Sequence, residues 1–256
     1  MKPSNIFCRW FPSWFRPSWD ECTIASLWDG GNAERRMMNT LSPHMSDDKA
    51  RNYLKWQRDR ECNTAHVFVS NQADGENAGY SIYGGSASNW RIDKAAVKTM
   101  LARARAYRRA GMGVVLWLLA DDSGAMNRVL LADPGRYMRD LAATGLLRYA
   151  SMICLGLEMG EYMGASQAQS LRDAVRKVWR GKVATHDVSG SIKFVGFGDV
   201  VFAQVKPTAS DSEMLRFAAM VKATGKPGGI IECDRHPNRE RCEKLIAAGL
   251  PFVGNW

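Results

Sequence analysis

The sequence contains no C-x-x-C pair, and its six cysteines (Cys8, Cys22, Cys62, Cys154, Cys233 and Cys242) are widely spaced. That spacing argues against a paired-cysteine zinc framework or a disulfide scaffold and points to reduced thiols. No apolar run reaches the ~20 residues that a membrane span requires. Residues 1–8 lack the apolar core of an export signal. The expectation is a soluble protein, cytoplasmic or virion-associated, with no membrane partner. No G-x-G-x-x-G follows the first apolar run, which argues against a dinucleotide fold. Lys206 is the one lysine near the end of an apolar run, so a Schiff-base aldolase is disfavoured, as is a phosphate cradle of glycines near the C-terminus. An H-x-H pair is absent as well, which argues against a metal-dependent barrel hydrolase. No cofactor and no metal are expected.

What is present fits a single large domain. The 256 residues are 46% hydrophobic and 24% charged, ordinary values for a globular chain. A (β/α)8 barrel typically takes about 250 residues. The net charge of +9 favours an anionic partner or substrate. The basic residues are spread over several helices, so a solvated basic surface is favoured over a nucleic-acid groove. Residues 1–20 stand apart: Trp10, Phe11, Trp14, Phe15 and Trp19 are interrupted by Pro12 and Pro17, which prevents a regular helix. This aromatic segment is expected to pack across the bottom of a barrel formed by residues 21–256, or against another copy or an assembly partner. Sugar stacking is the alternative use of its rings.

From residue 23 onward, apolar strands alternate with helical patterns. Strands are expected at 23–28, 65–69, 113–119, 151–158, 182–186, 200–205, 228–232 and 251–254. Helices are expected at about 47–60, 93–110, from Asp133-Pro134 onward, 166–180, 210–223 and 238–248. Residues 70–89 read as a long polar loop, and residues 187–198 are too rich in glycine for a helix. Continuous apolar strands separated by helices imply a parallel sheet covered on its outer face. The expected fold class is α/β, a (β/α)8 barrel without a sequence signal for its last helix.

In such a barrel the active face is built from the loops that follow the strands. The polar and indole groups there are Trp28, Asn71, Asp121, Glu158, His186, Gln204, Glu232 and Trp256. Carboxylates, amides and tryptophans suit a neutral, polyhydroxylated substrate, and two opposed carboxyl groups are what glycosidic cleavage needs. The runs Leu155-Gly156-Leu157-Glu158 and Ile230-Ile231-Glu232 each end on a glutamate, at the fourth and seventh strands. In this the sequence resembles the retaining (β/α)8 glycoside hydrolases often called clan A. The resemblance implies Glu158 as acid/base and Glu232 as nucleophile. It makes Trp256 similar to the tryptophan that floors the sugar site in many members. Trp28, Asn71, Asp121, His186 and Gln204 would then contact substrate. One departure is Leu157, where the clan usually places an asparagine that contacts the sugar; either another residue, Asn71 or Gln204, supplies that contact, or the chain is a divergent relative that has lost activity.

Each site residue also has a structural reading. Glu158 could bond the backbone of its own loop, and Glu161 could be the working acid in its place. Glu232 could pair with Arg235 or Arg239, and His186-Asp187 could simply organise a loop. Asp121-Asp122 could bind a metal with Asp74 or Glu76. The expected function is therefore retaining cleavage of an oligosaccharide or polysaccharide. The alternative is a non-catalytic carbohydrate-binding or structural barrel of a larger assembly, such as a phage tail.

Overall fold

A computed structural model describes residues 23–26, 46–59, 63–71, 80–86, 89–120, 124–206, 208–232 and 239–255. The expected segment 1–20 lies outside them. Eight strands form the barrel: β1 (Thr23–Ser26), β2 (Thr64–Phe68), β3 (Gly113–Trp117), β4 (Met152–Cys154), β5 (Lys182–His186), β6 (Val200–Gln204), β7 (Gly228–Glu232) and β8 (Phe252–Asn255). Each pairs in parallel with its neighbours in chain order, and β1 closes the barrel against both β8 and β2. The reason is visible in the strands themselves. Every residue of β2, β3, β4 and β6 is buried, so both faces of the sheet must be covered, one by helices and one by the opposite wall.

Seven α-helices are described: α1 (Asp47–Asp59), α2 (Lys94–Arg109), α3 (Gly124–Ala132), α4 (Pro134–Ala143), α5 (Ala165–Val178), α6 (Asp211–Ala223) and α7 (Arg239–Ala247). Their starts are chemically marked. Asp93 accepts from the N–H groups of Ala95 and Ala96 at 2.8 and 3.0 Å. Asp133 caps α4 ahead of Pro134, and Ser210 with Glu213 forms a capping box on α6. Between β5 and β6 there is only a 3₁₀ turn, Lys193–Phe197, in keeping with the glycine-rich sequence there.

Three features differ from the sequence reading. The strand expected over 151–158 is regular only over β4, three residues long. Helix α3 precedes the expected Asp133-Pro134 start; its Asn127 side chain donates to the Ala120 carbonyl, a contact that a propensity pattern does not reveal. The loop expected over 70–89 contains two short antiparallel ladders, Ser70–Asn71 with Tyr80–Ser81 and Tyr83–Ser86 with Asn89–Ile92. The second ladder is anchored to α4: Tyr83 makes edge-on contacts with Trp90 and Tyr137, and the Arg136 guanidinium lies 4.0 Å over the Trp90 ring.

Candidate active site

After β4 the chain stays attached to both neighbouring strands although it is no longer regular. The Leu155 N–H donates to the Ala184 carbonyl on β5, and the Leu157 N–H to the Leu119 carbonyl beyond β3, each at 3.0 Å. Gly156 leaves room here for the Tyr162 hydroxyl, which a Cβ at that position would displace. The chain then turns at Glu158, with φ 44° and ψ 47°, the one non-glycine residue in the left-handed region among the described residues. A bulky side chain in that conformation is strained, and such strain clusters at functional sites. Glu161 lies one 3₁₀ turn further on and is exposed. The geometry therefore favours Glu158 over Glu161 as the residue held at the mouth.

The side chains of His186 and Gln204 both hold Glu158. Its backbone N–H donates to His186 Nδ1 at 3.0 Å, and its carboxylate Oε1 accepts a hydrogen bond from Gln204 Nε2. His186 ends β5 and Gln204 ends β6, so three consecutive strands converge on one residue. Gln204 also links the site towards β7. The β6–β7 register shifts after Ala203, so Gln204 stands opposite Glu232 and Ile231 is skipped. Irregularities of this kind recur next to active sites. Glu232 closes β7 as expected from the sequence; its side chain lies outside the described residues.

Below this mouth the barrel is filled by rings. Trp117 lies 5.6 Å from His66, 5.4 Å from His186 and 6.1 Å from Phe202 between centroids, and Phe202 lies 5.4 Å from Phe252. The Trp117 indole N–H donates to His66 Nδ1 at 3.0 Å. Burial pushes the pKa of His186 down to about 3 and does the same to His66, with His186 adding to the effect on His66. Both imidazoles are therefore neutral. Since each Nδ1 accepts a hydrogen bond, each Nε2 carries the proton and faces its surroundings as a donor. Neither histidine in this state can ligate a metal through Nε2.

His186 and Asp187 take different roles. The Asp187 carboxylate is buried and accepts from the Val188 N–H at 2.8 Å, the Ser191 hydroxyl at 2.5 Å and the Lys193 N–H at 2.8 Å. It organises the β5–β6 connection. Asn71 falls in the first short ladder, paired with Tyr80, and its side chain is outside the described residues, as are Trp28, Asp121 and Trp256 entirely. The metal reading of Asp121-Asp122 falls outside them too. His66 and Trp117 fall inside the expected strands, where the strand pattern alone does not single them out as neighbours of the site. A signal was available: His66 is a lone imidazole in an otherwise apolar part of its strand, Ala65-His66-Val67-Phe68.

No protein-family model and no curated protein matches the sequence. Solved structures do match. One is a GH5_18 structure from Bifidobacterium longum subsp. longum, with a TM-score of 0.65 at 12% identity, over 92% of this chain and 69% of that one. The chain shares its barrel fold with solved glycoside hydrolases. A GH113 β-1,4-mannanase matches at TM-score 0.58 and 14% identity, over 92% of this chain and 87% of its own. A candidate glycoside hydrolase from Bacteroides vulgatus matches at TM-score 0.63 and 13% identity over 92% of this chain, which spans 50% of that protein's length. At these identities the likeness is one of fold, and the chemistry must be argued from the site.

Proposed function

We propose that this chain is a glycoside hydrolase that cleaves an oligosaccharide or polysaccharide with retention. Glu158 is the acid/base and Glu232 the nucleophile. The observation that carries this reading is Glu158 itself: a strained, left-handed glutamate held from two sides at the C-terminal mouth of a barrel. In retaining cleavage Glu232 bonds to the anomeric carbon while Glu158 gives its proton to the departing glycosidic oxygen. Water then attacks the glycosyl–enzyme bond, and Glu158 takes its proton. This chemistry places the two carboxyl groups about 5–5.5 Å apart, against about 6.5–9.5 Å for inversion. The substrate is a carbohydrate, and the charge of +9 suits an anionic one. Residues 1–20 are a contact for another copy or an assembly partner.

The test is a panel of β-1,4-mannotetraose, cellotetraose, chitotetraose and an acidic bacterial polysaccharide, offered to the wild type, Glu158→Gln and Glu232→Gln. The expected result is cleavage of at least one by the wild type, with the β-anomer retained in the first NMR spectra. Each variant should lose roughly a hundredfold or more in kcat. Cleavage that survives both substitutions would dispose of the assignment.

The non-catalytic reading has one observation in its favour. Leu157, where the resembled clan has asparagine, packs against the apolar core and offers no polar group. Binding without cleavage of any panel member would decide for that reading.

A further inference from the structure

His186 Nε2 and Gln204 Oε1 are both buried, and among the described residues neither has a hydrogen-bond partner. Buried polar groups are nearly always paired, and each one left unpaired costs free energy, so such atoms call for an explanation. Their chemistry is opposite. His186 Nε2 carries the imidazole proton, because Nδ1 is occupied by the Glu158 N–H. Gln204 Oε1 is a carbonyl acceptor, because Nε2 of the same amide is spent on the Glu158 carboxylate. Their positions are close in the barrel. His186 is in register with Phe202, and Gln204 stands two residues further along the same face of β6.

We infer that His186 and Gln204 together read a single hydroxyl of the carbohydrate at Glu158, with the hydroxyl accepting from His186 Nε2–H and donating to Gln204 Oε1. This inference deepens the proposed function and rests on it for the class of ligand. Charged groups fit worse. An anion would face the Gln204 carbonyl and the Glu158 carboxylate. An ammonium group would face the imidazole N–H. A metal would find no free lone pair on His186. A hydroxyl is both donor and acceptor and satisfies the two atoms at once. A site built in this way rejects an analogue that lacks the hydroxyl, because both protein groups then stay unpaired.

The experiment uses the full chain with Glu232→Gln, which slows cleavage and leaves Glu158, His186 and Gln204 in place. Histidine is labelled with ¹⁵N, and the His186 Nε2–H resonance is followed by NMR. Each tetrasaccharide of the panel is titrated, followed by its monodeoxy derivatives. One parent sugar is expected to move the resonance downfield. One of its monodeoxy derivatives should bind roughly a hundredfold more weakly and leave the resonance unmoved. Adding Gln204→Met should weaken the parent sugar to the level of that derivative.

A resonance that is already downfield without sugar, and that collapses in Gln204→Met, would show that the two side chains bond each other and would overturn the inference. Equal binding of all monodeoxy derivatives, or no binding of any tetrasaccharide, would overturn it as well. The readout is binding, so the two readings fail separately. A bound sugar with the expected shift but no cleavage by the wild type removes the hydrolase and leaves the hydroxyl contact standing.

Discussion

Glu158 combines a backbone conformation that suits glycine with a side chain that glycine lacks. A left-handed non-glycine residue costs roughly 1 kcal/mol. Glu158→Gly removes that strain together with the carboxylate that accepts from Gln204. The expected outcome is an unfolding temperature equal to or above that of the wild type, with hydrolysis abolished, as checked by calorimetry beside the sugar panel. A clear fall in unfolding temperature would mean that the carboxylate holds the loop together, which is the structural reading of this residue. From the sequence, Glu158 was recognisable as a polar residue closing an apolar run. Its strain was not, since Leu157 and Glu158 are fastened to Leu119 and His186, residues distant in the chain.

Among the elements, strands were more legible than loops. An apolar run buried on both faces announces itself by composition, and β2, β3, β5, β6 and β7 fall within about two residues of their expected bounds. β4 is shorter than its apolar run because Leu155 and Leu157 bond to two different neighbours as the chain leaves the sheet. The ladder of Tyr83–Ser86 with Asn89–Ile92 was hidden, since Tyr83 and Trp90 are held by contacts with Tyr137 and Arg136 of α4, far along the chain. The β7–β8 contact allows a direct test. A Cβ on Gly229 would collide with the Phe252 backbone carbonyl, so the two strands meet there with no room for a side chain. Gly229→Ala should separate them and cost about 3 kcal/mol or more, in the range of overpacked cores. A denaturant midpoint close to that of the wild type would show that β8 can shift without loss.

At the scale of the whole molecule, two buried neutral histidines make stability depend on pH. Unfolded, each takes up a proton near pH 6.5; folded, each waits until about pH 3. Their contribution is complete above pH 6.5 and is lost as pH falls towards 3, at about 1.4 kcal/mol per pH unit for each histidine. Urea midpoints between pH 7 and pH 4.5 should fall accordingly. His186→Gln, which keeps an acceptor near the Glu158 N–H but does not titrate, should remove one histidine's share of that slope. An unchanged slope would show that His186 is protonated in the folded protein.

The sequence by itself determined the order of strands and helices, the parallel sheet and the glutamates that end the runs at β4 and β7, because burial of both sheet faces and helix capping are local patterns of residue type. Only the tertiary structure decided what surrounds Glu158. His186 lies 28 residues away and Gln204 46, and His66 reaches Trp117 across 51. No local pattern encodes those meetings. They follow from closure of the barrel, which brings the ends of β4, β5 and β6 side by side and turns alternate residues of each strand into the same interior.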